Sequence, residues 1–476
     1  MSSSRAHRRH ACIFAFAVFT CAAFYRWSGR SVALLPTVAA TPLDAIALKD
    51  LATDGNDPSN LQDSEPSVAI NPRNPNEIAV VTFSENWGAD AAHGGDLEKE
   101  VLAPIWKSSD GGNAWRKVRQ IPAPKPNLQG PVDQRIAYSR QGRLLATVLG
   151  QAPKEAFLFR QTGGPDEKLT LGAEIGVRQA DQPQFASDLA AGLPCGGRLY
   201  SIWLELDTGK TLNSSSMDDG ATAGAESFSG DNTFPHRTSR VAVAPDGKAY
   251  LVYKTREGQV DSSFEKAHFR LNRSDNCGAS WDALGGSKGV SVHGPGAVLT
   301  YYTESFGNPQ KGRVVTANSS DVWVTSSPDS KPYVTYVSKD ASDRAQIYLA
   351  RSADSGASWV TTRVTDGAHN SAFPEVAVAN DGSVGVLFVD YDDSGAKTIF
   401  RHHFARSSDL GAHWNDVILQ PLDPSRLTNI AGAKRLWGDY EALTAFGNMF
   451  FGVFTGESIG RSKVQLDPIF FKAKSR

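Results

Sequence analysis

The sequence predicts an all-β fold, a β-propeller of seven four-stranded antiparallel blades. Three observations carry this. An eight-residue pattern, Ser-x-Asp-x-Gly-x-x-Trp, returns along the chain. A short alternating apolar segment precedes each copy that keeps its Trp, as Ile105 and Trp106, Phe269 and Leu271, Ile347 and Leu349, Phe400 and Phe404 do. The 476 residues include 43 Gly and 25 Pro, which fits many turns, and no long stretch has a helical period. A supersecondary unit repeated in this way decides the architecture ahead of any single segment.

The pattern is intact at Ser108–Trp115, Ser352–Trp359 and Ser407–Trp414. Asn276 replaces the Asp in Ser274–Trp281, and Ala223 stands in the Trp position of the copy that begins at Ser216. Ser and Asp side chains accept hydrogen bonds from turn amides. Gly supplies a backbone angle other residues resist, and the Trp ring can pin the turn against an apolar layer. The unit is a hairpin clamp. The run of oxygen ligands and the terminal Glu of an EF-hand calcium loop are missing from it.

The blades follow in order. The first runs from Glu65–Ile70 through Ile78–Phe83 to the first turn; the second opens at Asp133 and ends in a degenerate turn at Gly163-Gly164. The third opens at Asp181, the fourth near Phe234, the fifth at Asp321–Val324 and the sixth at Phe373. A last group, Asp439–Glu441, Met449–Phe454 and Pro468–Lys472, has three strands and no turn pattern. The stretch Ala45–Leu51 is expected to supply its outer strand, closing the ring and removing exposed edges. Six blades is the alternative count.

Residues 1–40 read as a secretory signal or N-terminal anchor, with Arg5, Arg8 and Arg9 before the apolar run Ala11–Phe24 and small residues at Val38–Ala40. That run is short for a membrane span, so no integral membrane domain is expected. Residues 41–476 read as one propeller domain. Beyond the leader two cysteines remain, Cys195 and Cys277. Both fall in turns on one face, so they form either one disulfide or two buried thiols. With 49 Lys plus Arg against 51 Asp plus Glu, the net charge of −2 gives no electrostatic case for nucleic acid. No cofactor or metal motif is present; Asp390, Asp392 and Asp393 are the only calcium candidates, with a solvated turn as the alternative. The chain is expected to be monomeric.

The repeat is that of the Asp-box, or bacterial neuraminidase repeat, and the chain resembles the sialidase-like β-propeller superfamily over nearly all of its length after the leader. The superfamily includes hydrolases, lectins and assembly factors. In such rings a ligand site belongs at the mouth opposite the turns, where the inner strands begin. The residues there are Glu65, Asp133 with Arg135, Asp181, His236 with Arg237 and Arg240, Glu375, and Asp439 with Tyr440. The leader implies a secreted or periplasmic protein, and the resemblance implies one that binds glycans or hydrolyses them as an exo-α-sialidase does. Tyr440, Glu375, Asp439, Asp181 and Asp133 are then the catalytic candidates, and Arg135, Arg237, Arg435, Glu65 and His236 the substrate contacts. Paired carboxylates suit glycoside hydrolysis, and a Tyr nucleophile is the sialidase exception. The sialidase Phe/Tyr-Arg-Ile-Pro motif is absent, since the first inner strand reads Glu65-Pro66-Ser67-Val68. A non-catalytic carbohydrate- or protein-binding propeller therefore stands as the alternative.

Overall fold

The computed structural model describes residues 46–55, 62–85, 103–125, 129–151, 153–164, 168–230, 233–259, 264–292, 296–299, 322–392, 399–428 and 438–476. These form seven separate antiparallel sheets. Six have their strands in chain order, beginning with the inner strands Gln62–Ile70, Gln129–Tyr138, Ala180–Ser187, His236–Val243, Val322–Ser326 and Asn370–Val378. The seventh starts at Ala442–Phe446, continues through Met449–Glu457 and Leu466–Lys474, and takes Leu48–Asp50 as its outer strand. The leader, residues 1–40, lies outside the described residues.

Second strands are the most continuously apolar because they are covered by neighbouring blades on both faces. Leu199–Glu205 and Val384–Tyr391 are buried throughout. Aromatic and branched side chains fill the wedges between blades: Phe404, Phe450, Phe454 and Phe471 pack blade six on blade seven. Phe269 and Tyr336, with ring centroids 5.2 Å apart, pack blade four on blade five.

The repeated turns share one geometry. The first Ser hydroxyl accepts the Gly amide at 2.7–2.9 Å in all five copies, Ser108, Ser216, Ser274, Ser352 and Ser407. The same hydroxyl donates to the Asp or Asn oxygen, which takes a second amide two residues beyond the Gly. The turn at Ser216 keeps these bonds without its Trp, so the polar residues shape the turn and the Trp adds packing. Trp115 does so edge-on to Phe470, 4.8 Å away on the preceding blade of the ring. Gly112 has φ +86, and a Cβ there would lie 2.7 Å from Phe470. Cys195 and Cys277 are bridged, joining the first turn of blade three to the repeated turn of blade four.

Closure rests on Leu48, Lys49 and Asp50 pairing with Phe471, Phe470 and Ile469. Leu51 and Ala52 follow, fully buried. Beside them Arg461 holds Asp467 at 3.1 Å and Asp54 at 3.1 Å. Asp50 accepts the Ile459 amide at 2.7 Å. Burial, then the facing Asp50, pushes the Asp467 carboxyl up to about 9, and burial raises Asp50 as well. Removing one member of a buried charged group strands the others. Arg461→Ala is expected to cost about 3–5 kcal/mol, read as a lowered urea midpoint in equilibrium unfolding.

Candidate active site at the channel mouth

Five inner strands enter the mouth through a break in register, at Ser64/Ser67, Val132/Arg135, Asp181/Gln184, His236/Ser239 and Ala372/Glu375. Four of these breaks hold a non-glycine residue in the left-handed region: Glu65 (φ 50), Asp133 (φ 49), Gln182 (φ 47) and Phe373 (φ 56). Such a conformation costs on the order of 1–3 kcal/mol and persists where surroundings over-determine it. Pro66, Pro183 and Pro374 follow three of them. A bulge re-aims side chains, and here it turns one strand entrance after another toward the axis.

Side chains meet across that axis. The Arg135 guanidinium of blade two lies 4.4 Å from the Trp323 ring centroid of blade five and 5.0 Å from that of Tyr440 in blade seven. Arg240 of blade four lies 4.9 Å from Trp323 and 5.8 Å from Tyr440. The Gln182 amide of blade three donates to Asp439 of blade seven at 3.0 Å. Blades two and five, four and seven, and three and seven are not neighbours in a seven-membered ring, so these contacts span the channel. The Tyr440 hydroxyl donates to the Gln134 carbonyl at 3.2 Å.

A group of carboxyls also gathers near Tyr440. Glu65 accepts the Asp439 amide at 3.0 Å and hydrogen-bonds the Asp133 side chain. Gly438 leaves the room this needs, since a Cβ there would collide with Glu65. Lys154 pairs with Asp181 at 3.1 Å. Burial deep in the mouth, then Asp181 and Asp439, pushes Asp133 up to about 7, against the opposing pull of Lys154 and Glu65.

The cationic half is desolvated too. Burial and then the like charge of Arg135 bring Arg240 down to about 10. Burial pushes Glu375 well above the usual carboxylate range, although Arg135 and Arg240 oppose the shift. Arg135 Nη1 and Glu375 Oε2 are buried and have no hydrogen-bond partner among the described residues. Burial, then Glu65 and Asp133, raises the Tyr440 phenol well above its ordinary value.

The structure thus brings together Glu65, Asp133, Asp181, Asp439, Arg135, Glu375 and Tyr440. It leaves others apart. His236 is sealed from solvent, stacked on Tyr253 at 4.3 Å, and its Nδ1 accepts the Thr211 amide at 3.2 Å. That position makes it packing between blades three and four. Arg237 is half-buried and has no described tie to the cluster; Arg240 supplies the second guanidinium. Arg435 and Asp393 lie outside the described residues. Asp390 does not stand free for calcium: Arg401 holds both its oxygens, at 2.7 and 3.0 Å, and His403 lies 3.2 Å away. Trp323, Gln182 and Lys154 complete the mouth without having been singled out in the sequence. For Gln182 a signal existed, because Gln182-Pro183 repeats the strand-entrance arrangement of Glu65-Pro66.

No family model and no curated protein matches the chain. Solved structures do. An ulvan lyase, from a new family of polysaccharide lyase, aligns at 9% identity over 90% of this chain and 96% of its own, with TM-score 0.51. An α-L-arabinofuranosidase from Fusarium graminearum aligns at 10% identity over 90% and 97%, TM-score 0.46. A leech intramolecular trans-sialidase aligns at 11% over 81% and 71%, TM-score 0.42. All three names denote glycan-acting enzymes. At such identities the likeness concerns the ring fold alone, and this chain is a seven-bladed propeller with a charged, side-chain-filled mouth.

The raised Asp133 has a measurable consequence. Folded, the carboxyl keeps its proton up to about 7, whereas the unfolded chain loses it near the ordinary 3.8. Stability therefore falls as pH rises between those values. Asp133→Asn is expected to raise the urea midpoint at pH 8, with the gain vanishing near pH 4.

Proposed function

We propose that this protein is a glycan-acting propeller, a glycoside hydrolase that works on an acidic sugar at the channel mouth. The observation that carries the reading is the meeting of Glu65, Asp133, Asp181 and Asp439, from four blades, beside the Arg135–Arg240 pair. Two carboxyls driven apart in proton affinity are the working parts of glycoside hydrolysis. Asp133 is the member that keeps a proton near neutrality. Asp181, paired with Lys154 at 3.1 Å, is the second carboxyl. In this reading Asp133 gives its proton to the leaving glycosidic oxygen. Asp181, as carboxylate, activates water or attacks the anomeric carbon. Arg135 and Arg240 grip the sugar's carboxylate, a geometry that guanidinium suits.

The exo-α-sialidase form of the reaction would use Tyr440 as nucleophile. The buried phenol, donating to Gln134, opposes ionisation, so the carboxylate route is the better supported of the two. The filled channel favours a second reading, a propeller that binds acidic glycans without cleaving them.

Turnover of fluorogenic sialosides and uronides separates these readings. The hydrolase reading expects kcat to fall as pH rises through about 7, where Asp133 loses its proton. It expects Asp133→Asn to lose activity by about 10²–10⁴-fold, the range for a general acid. Binding with no turnover on any glycoside leaves the lectin-like reading.

We also propose that the protein is exported, with residues 1–40 as its leader. The Cys195–Cys277 bridge supports this, because such bridges persist in oxidising compartments. Fractionation of the native host, with N-terminal sequencing, is expected to find a chain beginning near residue 41 outside the cytoplasm. Recovery of a reduced, cytoplasmic chain would reject it.

A further inference from the structure

In five blades a basic residue stands at the end of the third strand, just before the turn: Lys107, Arg160, Arg273, Arg351 and Arg406. Four of the five are used in the fold. Lys107 donates to Glu77 at 3.0 Å. Arg160 donates to the Asp218 carbonyl at 3.2 Å, and Arg273 to the Ser355 carbonyl at 2.8 Å, each in the next blade's turn. Arg406 donates to the Lys474 carbonyl of blade seven. Arg351 breaks the rule. Its side chain makes no hydrogen bond or ion pair among the described residues, and its Nε is buried.

Arg351 instead lines a cleft of about 280 Å³ between blades five and six, on the face of the repeated turns. Tyr333, its cross-strand partner, forms the floor. Lys331, which pairs with Asp329 at 2.6 Å, and Asn380 add polar groups at the edge. Leu410, 42% exposed, offers an apolar wall. A buried guanidinium nitrogen without an acceptor is costly, and a carboxylate would satisfy its fork in bidentate fashion. The apolar wall suits the C–H face of a sugar ring, Asp329 can accept from ring hydroxyls, and the volume has room for a single ring rather than a chain.

We propose that this cleft is a second ligand site, on the face opposite the channel mouth, for one carboxylated sugar unit. It does not depend on the mouth being catalytic. The test is calorimetric titration of the full chain with glucuronate, with glucose and inorganic sulfate as separate arms. Glucuronate is expected to bind saturably, glucose and sulfate at least tenfold more weakly. Arg351→Gln is expected to weaken glucuronate at least tenfold with an unchanged melting temperature and unchanged turnover at the mouth. Arg135→Gln is expected to keep this binding event. Lys331→Gln, at a half-buried position on the cleft edge, provides a second variant, expected to weaken glucuronate several-fold should Arg351→Gln fail to fold. Equal affinity in the folded Arg351 variant, or in the Lys331 variant where it must stand in, overturns the site. So does the absence of binding in the wild type. Sulfate or glucose binding as tightly as glucuronate overturns the carboxylated sugar as its ligand.

Discussion

A ring of seven sheets has one seam, and the pairing of Leu48–Asp50 with Ile469–Phe471 closes it. Without that pairing the outer edge of blade seven is an unpaired strand, and the contacts that fix blade one against blade seven lose their frame. The seam is well protected: Leu51 and Ala52 are buried beyond it, and the Asp50–Arg461–Asp467 group ties the N-terminal strand to the last hairpin. Ring closure also fixes the channel radius. Contacts such as Arg135 to Trp323 and Gln182 to Asp439 join blades three places apart. They form at one circumference and fail at another, so the mouth inherits its geometry from the seam.

The mouth is arranged against local stability. Four left-handed non-glycine residues at strand entrances, two guanidiniums facing the same aromatic rings, and carboxyls pressed into shared burial all cost free energy. Trp323 and Tyr440 offset part of this, because ring faces attract guanidinium. Glu375 offsets part of the cation repulsion. The remaining imbalance, with Arg135 Nη1 and Glu375 Oε2 lacking partners among the described residues, is of the kind a bound anion relieves. The turn face is built differently: there Ser hydroxyls, Asp or Asn oxygens and turn amides satisfy one another in every copy.

Much of the fold was legible because the turn chemistry is local. Ser, Asp and Gly at fixed spacing specify a turn wherever they occur, and even the copy with Ala223 keeps its bonds. The N-terminal strand could be assigned because a three-stranded last blade leaves an edge that needs a partner. The mouth was legible only as a set of strand entrances. That Glu65, Asp133 and Asp439 would share a site follows from their being at the same place in successive blades around the seam. His236 occupies a similar entrance, yet lies between Phe228 and Tyr253, because the break in its strand ends beyond it, at Ser239. Trp323 alternates as a core residue would, and only the position of Arg135 across the channel distinguishes it. Contacts that cross an axis link residues with no periodic relation in sequence.

The mouth also constrains which chemistry it can support. A phenol nucleophile needs a nearby base and a setting that tolerates phenolate. Tyr440 has two guanidiniums at its ring, which favour the anion, but burial and the Glu65 and Asp133 carboxyls oppose it more strongly. Burial, then Asp181 and Asp439, raises Asp133, while Lys154 pairs with Asp181. One arrangement of charge thus disfavours a phenolate at Tyr440 while raising the Asp133 carboxyl. A ligand carboxylate drawn between Arg135 and Arg240 would add negative charge near Asp133 and hold its proton more firmly. Anion binding at the two guanidiniums and the proton on Asp133 would in this way be coupled through the same cluster.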